Sequence, residues 1–345
     1  MRELSFHSWL WIGWLSAALA TFSIVRNPMY LVLAWLCILI LAESLRNQSG
    51  APNLPISPLR FALLTLVTAS LFNALFSHVG ETVLFTIPGS LPLLSGPVTL
   101  ESVVYGAING LALAGILAAF SVINAALPAR AVIRLAPRAF YSTAVVISIA
   151  LNFIPSTMRQ FEQIREAQAI RGHQLRKLGD WLPLLMPLLV GGLERAMLLA
   201  EATTARGFAS AFEQPRSQLA GFSMLVGLLL LIGGWLLSLR QGWQVLALSL
   251  AASGAVFIAW ALWRLSRKST HSTYFQQNWN CLDSLALIGP AIVLVVLFAP
   301  LPTAMRETLF YSPYPSLSLP TFDPWLGSAF LCFLSPLLVK FSRKP

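Results

Sequence analysis

Charged residues are scarce in this sequence. Only 10% of its 345 residues are Asp, Glu, Lys or Arg, whereas soluble domains carry roughly 25%. Hydrophobic residues make up 57% of the chain, and the mean hydropathy is +0.72. Apolar runs close to the roughly 20 residues that cross a hydrocarbon core recur along the sequence. The scarcity of charge excludes an ordinary soluble domain and predicts an all-α polytopic membrane protein.

Cysteine and histidine are also rare, and neither forms a metal-binding pattern. The three cysteines are isolated without a C-x-x-C spacing, and the four histidines are scattered. A zinc site or a disulfide framework would need such residues at close spacing. The chain also lacks the G-x-x-x-x-G-K-[ST] loop that binds nucleotide phosphates. We therefore expect no metal site, no cofactor site and no nucleotide site.

The charged residues that are present carry an excess of positive charge. The sequence has 23 basic and 13 acidic residues, which gives a net charge of +10. In a membrane protein such an excess indicates cytoplasmic loops, and no segment resembles a nucleic-acid-binding module. Residues 127–218 hold 11 of the 23 basic residues. We expect contact with a lipid bilayer and none with nucleic acid.

Eight apolar runs predict about eight transmembrane helices. They cover residues 9–25, 29–45, 59–78, 101–127, 219–239, 243–263, 284–298 and 325–339. Arg26-Asn27-Pro28 separates the first two, because proline starts a helix better than it continues one. Lys340, Arg343 and Lys344 place the C-terminus in the cytoplasm, and an even number of spans places the N-terminus there too. This predicts a multi-pass protein of the cell membrane.

The first apolar run has two interpretations. Its Ala18-Leu19-Ala20 is compatible with the cleavage site of a signal peptide. The preceding residues are only weakly basic, however, and the apolar sequence continues past Ala20. We favour a retained first helix.

Residues 79–100 predict a loop between two spans. This stretch contains no Lys or Arg, and its prolines and glycines prevent a continuous helix. An extracytoplasmic or re-entrant loop fits both properties. The chain then divides into N-terminal transmembrane helices (1–127), a cytoplasmic helical region (128–218), a transmembrane hairpin (219–265) and an additional C-terminal transmembrane pair (266–345).

Two apolar runs in the basic region conflict with the positive-inside rule. Residues 140–153 and 182–200 both have basic residues at each end, so a spanning helix would leave one basic end outside. The second run also contains Glu194 and Arg195 near its middle, where a charge in lipid costs about 2.5–3.5 kcal/mol or more. We therefore predict that neither run crosses the membrane and that both lie at its cytoplasmic surface as amphipathic helices.

One pattern occurs twice in this basic region. Glu166-Ala167-Gln168-Ala169-Ile170-Arg171-Gly172 and Glu201-Ala202-Thr203-Thr204-Ala205-Arg206-Gly207 both read Glu-Ala-x-x-x-Arg-Gly. Glycine after arginine is an ordinary helix stop, and this simpler interpretation would suffice for one copy. Two copies at the ends of two amphipathic helices favour a function in binding. The candidate binding residues are Arg171, Gly172, Ala205, Arg206 and Gly207, with Glu166 and Glu201 in support.

These motifs resemble those of the transmembrane T component of energy-coupling factor (ECF) transporters, the group that includes the cobalt transporter permease CbiQ. The resemblance covers about residues 20–260. It rests on the stretch Ile164 to Gly172 and on Pro187 to Ala196, which leads into the second copy of the motif. Weaker support comes from Arg26-Asn27-Pro28 and from Phe72-Asn73-Ala74-Leu75-Phe76 with Gly80-Glu81-Thr82.

The resemblance implies two crossed cytoplasmic coupling helices, each ending in an Ala-Arg-Gly signature that docks on one of two ABC ATPase subunits. It also implies a separate substrate-binding membrane subunit of the S type, for uptake of a vitamin or a metal ion. Ala205-Arg206-Gly207 matches the signature as it stands. The first copy has Ile170 in place of alanine, so Arg171 is the residue carried over.

Two other classes of protein compete with this interpretation. An integral membrane enzyme, such as a lipid-linked transferase, would concentrate carboxylates or histidines at one membrane surface. Here Glu43, Glu81, Glu101 and Asp283 are isolated near span ends, where carboxylates are usually solvated helix caps, although Glu81 and Glu101 flank the same loop. A substrate-translocating permease would need polar residues in mid-membrane positions, and the spans have few. We expect no enzymatic activity.

Overall fold

The structure is a computed structural model. It describes residues 6–49, 57–87, 96–127, 129–135, 141–172, 178–206, 218–240, 242–268, 279–299 and 302–341.

Helices account for nearly all regular structure in the described residues. They are α1 (Ser8–Ile24), α2 (Pro28–Ser49), α3 (Pro58–Phe76), α4 (Leu100–Ala126), α5 (Ala129–Arg134), α6 (Tyr141–Ile170), α7 (Leu182–Ala205), α8 (Gln218–Ser238), α9 (Gln244–Lys268), α10 (Cys281–Phe298), α11 (Thr303–Glu307), α12 (Pro324–Leu331) and α13 (Ser335–Phe341). Short 3-10 turns lie at Leu178–Trp181 and Cys332–Leu334. The prediction of an all-α polytopic membrane protein is confirmed.

Seven helices in the described ranges are long and apolar enough to cross a membrane. Their apolar segments are Pro28–Leu45, Pro58–Phe76, Leu100–Ala126, Gly179–Ala205, Gly221–Ser238, Val245–Arg264 and Cys281–Phe298, and the shorter apolar segments are Ser8–Ile24 and Pro324–Val339. The segment that contains α7 meets this criterion although we predicted a surface helix there. Length and composition alone do not distinguish the two positions, so the surface position stays a prediction.

The chain forms two compact units. The first comprises Met1–Ala131 with Phe275–Pro345, and the second comprises Val132–Tyr274. In the first unit, α1, α2, α4, α10 and α12 surround a core that contains the fully buried Trp14, Tyr30 and Phe330. The second unit consists of the α6–α7 pair and the α8–α9 hairpin.

The C-terminal segment packs directly on the first two helices. Trp14 Nε1 of α1 donates to the carbonyl of Phe333 at 3.1 Å. Tyr30 of α2 accepts at its hydroxyl oxygen from the amide of Asp323 at 2.7 Å. Both bonds join residues that are nearly 300 or more positions apart in sequence. The last helices are therefore an integral part of the N-terminal bundle.

The loop between α3 and α4 contains a β-hairpin that the sequence did not predict. Strands β1 (Val83–Ile87) and β2 (Gly96–Thr99) pair in antiparallel register, with Val83 opposite Thr99. The prediction that this stretch is not a continuous helix is confirmed by the strands. Alternation of Val, Phe and Ile in β1 is typical of a strand. This alternation is the sequence pattern from which the strand could have been predicted.

Candidate binding site at two helix ends

The first arginine of the repeated motif directly follows α6. That helix ends at Ile170, and Gly172 has a φ of +81°, in the left-handed region that glycine adopts without a steric cost. The amide of Gly172 donates to the carbonyl of Ala169 at 2.9 Å and closes the last turn. The helix-stop function of this glycine is therefore real. The side chains of Glu166 and Arg171 are exposed.

The second arginine has the corresponding place on α7. Ala205 is the last helical residue and Arg206 is the C-cap, with a φ of −86° and a ψ of 6°. Glu201, Ala205 and Arg206 are all exposed. Gly207, which the sequence also marked as a candidate, lies outside the described residues. Each arginine thus has its guanidinium at the C-terminal end of a helix, where the helix dipole favours positive charge.

The two helices approach each other closely at Gln160 of α6 and Gly191 of α7. A methyl group added at Gly191 would overlap the amide nitrogen of Gln160, whereas one at the neighbouring Gly192 would meet nothing within 4 Å. The amide oxygen of Gln160 is buried and has no hydrogen-bond partner among the described residues. Small residues at such points allow two helices to approach each other closely. Gln160 and Gly191 therefore mark the contact point of the pair.

A second contact fixes the beginning of α7 against α6. The rings of Phe161 and Trp181 are stacked, with centroids 6.3 Å apart and an interplanar angle of 16°. Beside this contact lies an open groove of about 630 Å³, which is lined by Ala150, Phe153, Ile154, Thr157, Met158, Phe161, Glu162, Arg165 and Leu188. Ile154, Met158 and Phe161, which recur at helical spacing along α6, thus line this groove.

Helix geometry sets the distance from the contact point to each arginine. Arg171 lies eleven residues after Gln160, and Arg206 lies fifteen residues after Gly191. At a rise of about 1.5 Å per residue these separations correspond to about 16 Å and about 22 Å along the helix axes. We call α6 and α7, each with the arginine at its C-terminal end, the two arms. The structure places both candidate arginines at the ends of these arms, which touch each other near their middle.

Sequence reasoning missed the contact between Gln160 and Gly191. The motif around Gly191-Gly192 was visible, and a pair of small residues inside a helix is a known sign of helix contact. Nothing in the sequence, however, distinguished Gly191 from Gly192 or identified Gln160 as the opposing residue. That distinction depends on which side of α7 faces α6.

The carboxylates considered for a membrane enzyme have structural contacts instead. Glu101 is fully buried and accepts from the backbone amide of Thr82 at 3.1 Å and from its hydroxyl group. Asp283 is also buried, and it accepts from the amides of His7 and Asn280 at 3.2 and 3.0 Å. The expectation of solvated caps is therefore wrong for these two residues. Glu81, by contrast, is exposed.

Comparison with known proteins gives consistent matches. The CbiQ family, described as cobalt transport protein, matches residues 8–219. The chain is 32% identical over 88 residues to the energy-coupling factor transporter transmembrane protein EcfT of Leuconostoc gelidum, covering 24% of this chain and 33% of that protein. The EcfT proteins of Listeria innocua and Brevibacillus brevis are 34% and 31% identical over 105 and 109 residues. These alignments cover 27% and 28% of this chain, and 39% and 41% of the two relatives. The chain thus spans about a third to two fifths of the length of these relatives.

Proposed function

The chain belongs to the CbiQ family, the transmembrane T components of energy-coupling factor transporters, and we propose that it transmits ATP-driven movement from two ABC ATPase subunits to a separate substrate-binding membrane subunit. One observation carries this proposal. Arg171 and Arg206 are exposed at the ends of two helices that touch at Gln160 and Gly191. Two similar helix ends, on two helices that contact each other, suit a partner that consists of two similar subunits.

Each arginine anchors one ATPase subunit in this proposal. A guanidinium is planar and presents several N–H donors, so it forms two parallel charge-assisted hydrogen bonds with a carboxylate. Arg171 directly follows α6 and Arg206 is the C-cap of α7, so both guanidinium groups lie at helix ends, where they can reach the partner. Glu166 and Glu201 lie on the last turns of the two arms and support the same interface.

The contact between the two arms converts the movement of the ATPases into movement of the membrane helices. When ATP binding draws the two ATPase subunits together, the ends of α6 and α7 move with them. Because the arms contact each other at Gln160 and Gly191, the movement of one arm is transmitted to the other. The connected transmembrane helices then rearrange, and the substrate-binding subunit is reoriented.

The proposal places the arms in the cytoplasm. Both chain termini and the basic segment 128–218 lie on the cytoplasmic side, where ATP is available, and the flanking segments 1–127, 219–265 and 266–345 hold the arms in the bilayer. The cargo, a metal ion or a vitamin, is chosen by the substrate-binding subunit. The chain itself then carries out no catalytic reaction.

Site-specific photo-crosslinking tests the proposal. A photoreactive amino acid at position 171 or 206 should capture an ATPase subunit in the co-expressed complex, because both side chains are exposed at the arm ends. The same amino acid at position 159, which is also exposed on α6, serves as the control and should capture none. Equal capture at all three positions, or none at 171 and 206, would contradict the proposal.

A further inference from the structure

The turn between α1 and α2 carries an exposed arginine that the proposed coupling function does not use. Arg26 donates from its Nη1 atom to the side-chain oxygen of Asn109 in α4 at 3.1 Å. Within the described part of the chain, this is the one hydrogen bond of its guanidinium, and no carboxylate is paired with it. A guanidinium has five N–H donors. The remaining donors of Arg26 are therefore open to a ligand.

Arg26 lies in the turn between two apolar helices. Helix α1 ends at Ile24, and the apolar segment of α2 begins at Pro28. The turn between two such helices lies at an edge of the hydrocarbon core when they cross a bilayer. Asn109 of α4 lies at the same level, because it accepts a hydrogen bond from Arg26.

A pair of tyrosine rings lies one helical turn along α4 from Asn109. Tyr105 is 39% exposed, and its ring centroid is 5.6 Å from that of Tyr314. The hydroxyl group of Tyr314 is 3.4 Å from Ser77 Oγ. Tyrosine is enriched at membrane interfaces because its ring is apolar and its hydroxyl group is polar, so this pair is typical of headgroup level.

We propose that Arg26 and Asn109, flanked by Tyr105 and Tyr314, bind the phosphate of one phospholipid headgroup on the side of the membrane where the α1–α2 turn lies. Anionic headgroups attract basic side chains at the membrane surface, by about 1 kcal/mol for each Lys or Arg, and a phosphate diester can pair with the free donors of Arg26. The planar guanidinium forms two parallel hydrogen bonds with phosphate oxygens. Asn109 accepts one N–H and holds the guanidinium in place, so the arginine is positioned before the lipid arrives.

Native mass spectrometry of the full chain in mild detergent tests this site. Dioleoyl phosphatidylglycerol is titrated, and the affinity of the tightest-bound lipid is measured. Arg26→Gln should weaken that affinity about tenfold, the equivalent of about 1.4 kcal/mol. Arg26→Lys should lose part of the affinity, because an ammonium group cannot form the planar two-bond contact. Arg240→Gln, which removes the same charge from another exposed turn, is the control and should bind as the wild type does.

Two further measurements identify the source of the phosphate. Dioleoylglycerol, which has the same chains without phosphate, should not bind tightly, and millimolar inorganic phosphate should not displace the phospholipid. Displacement by inorganic phosphate would overturn the proposal in favour of a free-anion site. Wild-type lipid affinity in Arg26→Gln would also overturn it.

A second variant separates lipid binding from folding. Asn109→Ala retains the charge of Arg26 and removes only the bond that positions it. Its lipid affinity should fall severalfold, with an unfolding temperature equal to that of the wild type. Unchanged lipid affinity in this variant would contradict the assigned geometry.

Discussion

The side-chain amide of Gln160 in α6 lies against Gly191 of α7, so that a Cβ atom added at position 191 would overlap its Nε2 atom unless that side chain moved. The amide of Gln160 occupies the space that a Cβ atom would need. One residue further along α7, at Gly192, the space is open. The two adjacent glycines therefore have different surroundings, and the difference provides a matched test of the contact between the arms.

The first prediction concerns this contact. Gly191→Ala should have only a small effect, because the flexible end of the Gln160 side chain can move away from the added methyl group. Gly191→Leu should separate the helices, because overpacking a tight contact costs about 1–3 kcal/mol, and ATP hydrolysis by the reconstituted complex should then become uncoupled from transport. Gly192→Leu adds the same side chain where a Cβ atom meets nothing within 4 Å, and it should behave as the wild type does. Equal effects of the two leucine variants would show that the contact does not transmit movement.

The second prediction concerns the end of α6. A side chain in the left-handed conformation of Gly172 costs about 1–2 kcal/mol, so Gly172→Ala should shift the helix end and weaken ATPase binding moderately. Gly179→Ala is the control, because a Cβ atom there meets nothing within 4 Å and no positive φ is involved. ATPase retained on affinity purification is the measurement. If Gly172→Ala reduces the retained ATPase more than Arg171→Ala does, the Arg171-Gly172 pair acts chiefly as a helix stop.

The third prediction concerns the role of the C-terminal segment. Asn27 is fully buried, and its side-chain nitrogen donates to the carbonyls of Thr308 and Thr321, both at 2.7 Å. Asn27→Leu would remove two partly buried hydrogen bonds, each worth about 0.5–1.5 kcal/mol. The unfolding temperature in detergent should fall clearly. Asn73→Leu is the control and should have a much smaller effect, because among the described residues the Asn73 side chain bonds to Ala69 of its own helix.

The fourth prediction concerns the position of residues 140–200 relative to the membrane. In a variant without the native Cys37, Cys281 and Cys332, single cysteines at positions 157, 179 and 213 should resist an impermeant reagent added outside intact cells. A cysteine at position 90 should react with it. Reaction at 179 together with protection at 213 would restore two transmembrane spans and contradict the surface position.

The sequence predicted the helices well because their apolar runs are bounded by strong local signals. Pro28 and Pro58 lie at the first positions of α2 and α3, as the helix-start preference of proline requires. The last predicted span is the exception. It is divided into α12, a 3-10 turn and α13, and the carbonyl of Phe333 in that turn accepts from Trp14. A contact between residues so far apart in sequence leaves no local pattern.

The candidate site was predicted only in part for the same reason. Arg171 and Arg206 were found because a repeated motif is visible in one dimension. The contact between Gln160 and Gly191, which connects the two arms, arises from the orientation of two helix faces. The burial of Glu101 against Thr82 likewise depends on how the α3–α4 loop folds back over the start of α4. Residue type and spacing alone do not encode these relationships.

The most direct test of the coupling function is the amount of ATPase that copurifies with the chain. The wild-type protein, co-expressed with the ABC ATPase subunits of its organism, should retain two per chain. Arg171→Ala and Arg206→Ala should each lose ATPase, and the double variant should retain almost none, because truncating a buried interfacial charge costs about 2–5 kcal/mol. Lysine at either position should restore little of the ATPase binding. The control is Arg159→Ala, which replaces an exposed arginine of α6 and should retain both subunits. Full retention of the ATPases in the double alanine variant would contradict the proposed coupling function.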